Sequence, residues 1–290
     1  MSKRFRVRVK PLPSWLDWRR LLGPGDWKLS ESESAGAHQA EAALERDQAA
    51  DLAARLRGVG IGGALLSIEI QPPLNRKELR RANTDEARRH RERSPGFTRA
   101  SAQFDDEARF SLTPEALALE LGERARGLRV IDACAGAGGN AIGFARAGCE
   151  LLAIELNAGR LAMAEHNARL YGVAERIEFV CGDACAIMPQ READLLFIDP
   201  PWGERYDKAR VTLDQLPPAA ALIESSPHIP KKWLKVPPSF DPSTLPGCRA
   251  EAVFGAARGD ERRVKFLLIK LDDPRATEAE ASHRRPGTLR

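Results

Sequence analysis

The sequence predicts an α/β protein built on a mostly parallel sheet whose last strand runs antiparallel, with a small mixed subdomain ahead of it. From residue 129 onward, short β-branched apolar runs alternate with helix-length segments, the period of repeated β–α units. Within that region VIDACAGAGGN, at 130–140, reads as a buried strand entering a glycine-rich turn and then a helix. The last two apolar runs are joined by GAARGDER, at 255–262, short enough for an antiparallel hairpin.

At 290 residues, 43% of them hydrophobic, the chain holds one large or two small domains with an ample core. No stretch approaches the length of a membrane span, and MSKRFRVRVK lacks the apolar run of a signal peptide, so a cytoplasmic protein is expected. The five cysteines form no C-x-x-C pair, which suits free thiols in a reducing compartment; no metal site is expected. The net charge is only +4, but residues 1–30 carry eight Lys or Arg against two acids, and residues 76–99 carry nine against four. Such runs suit a polyanionic partner or are simply solvated faces.

The elements follow in order. Residues 4–10, RFRVRVK, alternate as a short edge strand with one basic face. Trp15, Trp18 and Leu22 fall at helical spacing; the tryptophans, with Trp27, are either base-stacking platforms or anchors of the subdomain. Residues 30–34 read as a linker or helix start, and the alanine-rich run 39–56 as a helix with Leu44, Leu52 and Leu56 on its apolar side. ALLSIEI, at 64–70, reads as a buried strand, and residues 75–93 as a highly charged helix ending near Ser94-Pro95-Gly96. Thr113 as N-cap and Pro114 at the first helical position open a helix over 116–125. Strands are then expected at 129–133, 150–155, 176–180, 194–199, 232–236, 249–255 and 264–271, with helices at 139–147, 157–170 and 214–224. These assignments divide the chain into a basic front region for substrate docking, 1–100, a catalytic domain, 101–272, and a polar tail, 273–290, expected to be disordered.

The glycine turn lacks the G-x-G-x-x-G register of a dinucleotide fold and the G-K-[ST] of a phosphate loop, and alone could be only a packing corner. Its neighbours decide. Ligands of open α/β sheets bind beyond the carboxyl ends of the strands. Four successive strand ends here carry an acid: Asp132, Glu155, Asp183 and Asp199. Glu155 suits the hydroxyls of a ribose, and Asp132 the amino end of an amino-acid moiety. Asp183 suits an exocyclic adenine amine, or is only the acid of a helix start. Cys134 has no base partner in the sequence and is not read as a nucleophile. Lys235 and Lys270 either face a nucleic acid or are satisfied surface charges.

This pattern resembles the class I S-adenosylmethionine-dependent methyltransferases. The segment from about 104 to 271 looks like the RNA cap guanine-N2 methyltransferases, the trimethylguanosine synthase family, in FSLTPE (110–115), VIDACAGAGGNAIGFARAG (130–148), AIELN (153–157), AEHNARLYGVAERIEFVCGD (164–183) and FIDPPWGERY (197–206). The resemblance implies a Rossmann-like seven-stranded sheet and S-adenosyl-L-methionine as cofactor. It implies cofactor contacts from Thr113, Pro114, Asp132, Ala135, Gly136, Asn140, Glu155 and Asp183, and stacking of a guanine on Trp202.

One departure matters. The cap enzymes read S-P-P-W-G-G where this chain reads Asp199-Pro200-Pro201-Trp202-Gly203-Glu204, closer to the [DN]-P-P-[YFW] of enzymes that methylate amino groups of bases in DNA and ribosomal RNA. In either branch Asp199 and the Pro200 carbonyl would accept hydrogen bonds from an exocyclic amine while Trp202 fixes the ring plane; Asp199, Pro200 and Trp202 are the expected catalytic set. Trp202 could instead be a rim residue packed on Tyr206, and the prolines merely a turn. The expected reaction is methylation of a base amine in RNA, foremost guanine N2. The alternatives are adenine N6 in DNA or ribosomal RNA, and a noncatalytic module that binds cofactor and RNA.

Overall fold

A computed structural model describes residues 4–32, 36–89, 95–106, 111–203, 206–257 and 259–272. Its first unit grows from the arginine–apolar alternation. The strand β1, Phe5–Pro13, turns Phe5, Val7, Val9 and Leu12 into a small core and its cations to the other face. It is followed by α1 (Trp18–Leu22), β2 (Lys28–Glu31), β3 (Ala37–Leu44), α2 (Arg46–Leu56), the two-residue strands β4 (Gly60–Ile61) and β5 (Ala64–Leu65), β6 (Ser67–Gln71) and α3 (Arg76–Arg89). Four of the strands pair in the order β2-β3-β1-β6.

Several expectations for this region are corrected. The first strand is interior, paired antiparallel with both β3 and β6; alternation reports the two faces of a strand, not its lateral neighbours. The alanine-rich run is a strand up to Leu44 and a helix only from Arg46. Ala40, Ala42 and Leu44 alternate inward against β1, so pairing overrides helix propensity, and the side chains of Glu45 and Gln48 box the true helix start. Residues 28–31 form an edge strand rather than a linker. The ALLSIEI segment is not one buried strand but β5 and a half-exposed edge strand β6. Of the tryptophans, Trp15, Trp18 and Trp27 all pack against this core as anchors. The predicted tail 273–290, together with Arg91, Arg93 and Glu204, lies outside the described residues.

The second unit opens with α4 (Glu115–Arg124), whose N-cap is Pro114 rather than Thr113, because the Pro114 backbone is still extended at ψ 133°. There follow β7 (Arg129–Asp132), α5 (Gly139–Arg146), β8 (Glu150–Glu155), α6 (Ala158–Tyr171), β9 (Ile177–Cys181), α7 (Ala184–Ile187), β10 (Leu195–Ile198), α8 (Pro217–Glu224), β11 (Lys231–Val236), β12 (Arg249–Phe254) and β13 (Val264–Asp272). The seven strands lie in the order β12-β13-β11-β10-β7-β8-β9, with β13 antiparallel to both its neighbours. Consecutive strand residues enter opposite cores: Val130, Leu151 and Phe197 pack with α4, α5 and α6, while Ile131, Leu152 and Ile198 pack with α7 and α8. Coverage of both faces explains the nearly unbroken apolar runs of these strands.

Two details set the geometry near the carboxyl edge. Gly136 and Gly138 hold φ values of 53° and 87°, which let the turn after β7 fold back into α5. A methyl on Gly143 would come within 2.5 Å of the Ala118 carbonyl carbon, so α4 and α5 touch through bare backbone. The two units are joined at the turn between β12 and β13. There Arg20 donates to the Gly255 and Glu261 carbonyls, Arg55 reaches the Arg262 carbonyl and Glu86 faces Arg263. Among the described residues no helix is long and apolar enough to cross a membrane.

Candidate active site

The carboxyl ends of β7, β8, β9 and β10 open on a cavity of about 400 Å³. Its walls include Thr113, Ala135, Gly136, Asn140, Glu155, Asp183, Asp199 and Pro200, eight of the eleven residues expected from the sequence. Pro114, Asp132 and Trp202 are not among the lining residues. Pro114 caps α4 instead. Asp132 lies fully buried just beneath, and Trp202 stands at the side of the Pro-Pro turn.

The glycine turn is held from two sides. Glu155 accepts from the Gly136 amide through Oε2 at 2.9 Å and from the Asn157 amide through Oε1 at 2.9 Å. On the other side Asn167, buried on α6, donates to the Ala137 carbonyl at 2.9 Å and exchanges hydrogen bonds with the Gln103 backbone. Asp183 accepts from the Cys185 amide at 2.9 Å, capping α7, and so combines a helix-start role with a place on the cavity wall. Leu156, 75% exposed, adds an apolar surface directly after Glu155.

Among the described residues, three buried polar atoms here have no hydrogen-bond partner: Thr113 Oγ1, Asp132 Oδ2 and Asn140 Oδ1. Unpaired buried acceptors are costly, and a ligand that brings a cationic amine to them relieves the cost. Burial, then the nearby Asp199 charge, pushes the Asp132 carboxyl up to about 7. Burial likewise pushes the Cys134 thiol well above its ordinary range, as expected for a residue that is no nucleophile. The residues present therefore fit S-adenosylmethionine. Asp132 and Asn140 would hold its ammonium, Glu155 its ribose, and Leu156 with Asp183 its adenine. Among the described residues no three His, Cys, Asp or Glu are grouped to hold a metal ion.

At the other end of the cavity stands a residue the sequence reading left as a surface or nucleic-acid-facing charge. Lys235, on β11, is buried, with 5% of its side chain exposed, against 11% for Asp199. Its Nζ donates to Asp199 Oδ2 at 2.6 Å and to the Ser111 carbonyl at 3.0 Å. Asn140 donates to the same Oδ2 at 2.9 Å, so among the described residues no hydrogen bond falls on Oδ1. Burial pushes the Asp199 carboxyl up, and Lys235 and Asn140 pull it back. The ammonium also lies 5.3 Å from the centre of the Trp202 ring, whose Nε1 donates to the Lys235 carbonyl. Tyr206 meets Trp202 edge-on at 5.8 Å, the packing weighed for it from sequence. Lys235 was legible in part: it occupies the fifth strand end, next in the series that supplied the four acids. Lys270, by contrast, pairs with Glu251 at 2.7 Å, away from the cavity, and is a satisfied charge.

The strand order, the antiparallel β13 and a cavity at the carboxyl edge with a glycine turn and an acid after each of four strands define the class I S-adenosylmethionine-dependent methyltransferase fold. Within that class, residues 128–215 match the family model described as RNA cap guanine-N2 methyltransferase. The chain is 33% identical over 110 residues to the trimethylguanosine synthase of Schizosaccharomyces pombe, covering 34% of this chain and 46% of that protein. It is 36% identical over 94 residues to the ribosomal RNA small subunit methyltransferase J of Rhodopseudomonas palustris, covering 30% of this chain and 43% of that one. The chain thus spans less than half the length of either curated relative. A solved RNA methyltransferase from Salinibacter ruber, in complex with S-adenosyl-L-homocysteine, superposes with a TM-score of 0.40 at 17% identity, over 61% of this chain and 95% of that one.

Proposed function

We propose that this protein transfers a methyl group from S-adenosylmethionine to an exocyclic amine of a base in RNA, foremost the N2 of guanine. The observation that carries the reading is that Asp199 and Pro200 open on the same cavity as Glu155 and the glycine turn, joined to it through the Asn140–Asp199 hydrogen bond. Donor and acceptor ends of one reaction are thereby adjacent. The family-model match supports the base-amine reading.

When bound, S-adenosylmethionine supplies a methyl carbon made electrophilic by the sulfonium. Asp199 offers Oδ1, and Pro200 its carbonyl, to the two hydrogens of the incoming amine. With those hydrogens held by Asp199 and Pro200, the nitrogen lone pair would be free for the methyl group, the N–C bond would form as the C–S bond breaks, and alignment would provide most of the acceleration. The surplus amine proton leaves by way of Asp199 to water. Lys235 and Asn140 oppose the burial that raises the Asp199 carboxyl, favouring its ionised form, and occupy Oδ2 so that Oδ1 is left for the acceptor. Trp202 sets the plane of the base.

Asp at position 199, where the cap enzymes carry Ser, favours a target other than the cap. The Lys235 ammonium beside the Trp202 ring supports the same view, since an indole already holding one cation is a poorer partner for a positively charged 7-methylguanine than for neutral guanine. The Asp-Pro-Pro-Trp tetrad also supports a second reading, adenine N6. Methyl-labelled cofactor incubated with RNA and with DNA, followed by mass spectrometry of the nucleosides, tests both; N6-methyladenosine without N2-methylguanosine would eliminate the first. Turnover that Asp199→Ala abolishes while cofactor binding persists would exclude a noncatalytic binding module.

A further inference from the structure

The two basic stretches of the first unit have different electrostatic states. On β1 each cation is matched: Arg6 binds Glu41 at 2.6 Å, Arg8 bridges Glu41 at 3.1 Å and Glu69 at 3.4 Å, and Lys10 faces Glu69 at 3.6 Å, while Arg4, just ahead of the strand, faces Glu45 at 3.9 Å. The partners come from β3, β6 and Glu45, just past the end of β3. A phosphate can take these cations only by displacing carboxylates already in place.

On α3 the sorting is the reverse. Its acids are used for docking to the rest of the protein: Glu78 boxes the helix start with Asn75 and faces Arg46 at 3.3 Å, and buried Glu86 faces Arg263. The remaining acid, Asp85, makes only an exposed contact with Arg81 at 4.0 Å. Arg76, Lys77 and Arg80 are exposed and make no ion pair or hydrogen bond through their side chains among the described residues. Arg76 and Arg80 stand with Leu79, Asn83 and Thr84 along one open face of the helix. The helix thus presents unpaired cations outward and is clamped by Glu86 to the β12–β13 turn, part of the same sheet that carries the cavity.

We infer that α3, and not the arginine stripe of β1, is the surface that holds the phosphate backbone of the substrate RNA. The inference rests on the RNA reading above and specifies its docking site. Charge complementarity selects the partner: exposed cations along one helix face suit a chain of phosphates, and none of the three lines the catalytic cavity, so the ligand extends beyond a single nucleoside.

The test compares two variants of the full chain, Arg76→Gln/Lys77→Gln/Arg80→Gln and Arg6→Gln/Arg8→Gln, binding a fluorescein-labelled stem-loop RNA across a salt series. Each lost phosphate contact flattens the slope of log affinity against log salt by about 0.7–0.9, so the α3 variant should lose about two slope units and bind about 100-fold more weakly near 0.1 M salt. The β1 variant should keep the slope of the unaltered protein. Cofactor binding by calorimetry should be unchanged in both, which separates a docking defect from misfolding. An α3 variant with intact cofactor binding and an unchanged slope overturns the inference, as does an equal loss in the β1 variant or tighter binding of duplex DNA than of RNA. No RNA binding by the unaltered protein would instead fail the function reading beneath it.

Discussion

Replacing Lys235 by Met removes the ammonium while keeping much of the apolar stem, and so isolates what the charge does for Asp199. At an effective dielectric constant of about 20, the 2.6 Å separation of Nζ and Oδ2 corresponds to about 6 kcal/mol of attraction. A buried carboxylate deprived of that partner escapes the cost by taking a proton. Burial already pushes the Asp199 carboxyl up, and Lys235 is the foremost group opposing that push. With cofactor saturating, so that Asp132 does not contribute, the acid limb of kcat/KM for RNA is the one assigned to Asp199 and should therefore move to higher pH in Lys235→Met. At neutral pH, losing a charge-assisted hydrogen bond worth about 1.5–3 kcal/mol lowers the rate roughly 10- to 150-fold. Cofactor affinity, measured by calorimetry, should change little, since Lys235 is not among the lining residues. Lys235→Arg should bring the limb back toward its original position. The assay is transfer of labelled methyl to RNA across a pH series. An acid limb that stays in place in a folded, cofactor-binding Lys235→Met protein refutes the assignment.

Asp132 gives a second pH signature. A carboxyl raised to about 7 from an unfolded value of 3.8 binds more protons in the folded state, so its contribution to stability is complete below the unfolded value and is lost as pH rises through about 7. Asp132→Asn should make the cofactor-free protein more stable at alkaline pH, by at most about 4 kcal/mol in denaturant unfolding, while weakening S-adenosylmethionine. In the unaltered protein, cofactor affinity should fall as pH drops below about 7, by up to about tenfold per unit, and calorimetry should find this dependence gone in Asp132→Asn. Glu155→Ala frees the Gly136 amide as well as the ribose site, so cofactor affinity should drop at least about tenfold with thermal stability reduced; equal affinity would remove Glu155 from the ribose role. Gly143→Ala forces apart α4 and α5 and should cost about 1–3 kcal/mol in thermal unfolding.

The second unit was more legible in the sequence than the first, for a physical reason. In β7 through β11 both faces of the sheet are covered, so apolar runs, glycine turns and acids at strand ends all carry one message. In the first unit, Ala37–Leu44 has the composition of a helix and the pairing of a strand, and composition alone could not reveal the partner β1. The site was legible where chemistry lies in short motifs, as with Glu155 and the Asp-Pro-Pro-Trp turn. Lys235 was legible only by its place at a strand end, because a lysine's identity is silent about whether its charge meets water or a carboxylate 36 positions away. The basic front half was legible only as charge: the arginines of β1 were visible, and Glu41 opposite them was only one acid in an alanine-rich run.

The antiparallel β13 is the last described strand to be made, yet it sits between β11 and β12. At ordinary synthesis rates of about 5–20 residues per second, the 36 residues from Val236 to Asp272 take roughly 2–7 s. For that interval β11 has an open edge and β12 has no neighbour to bind. The strands that carry the cofactor wall are thus made before the sheet is closed, and until β13 is in place the open edge of β11 is exposed to chaperones and to strand-to-strand aggregation.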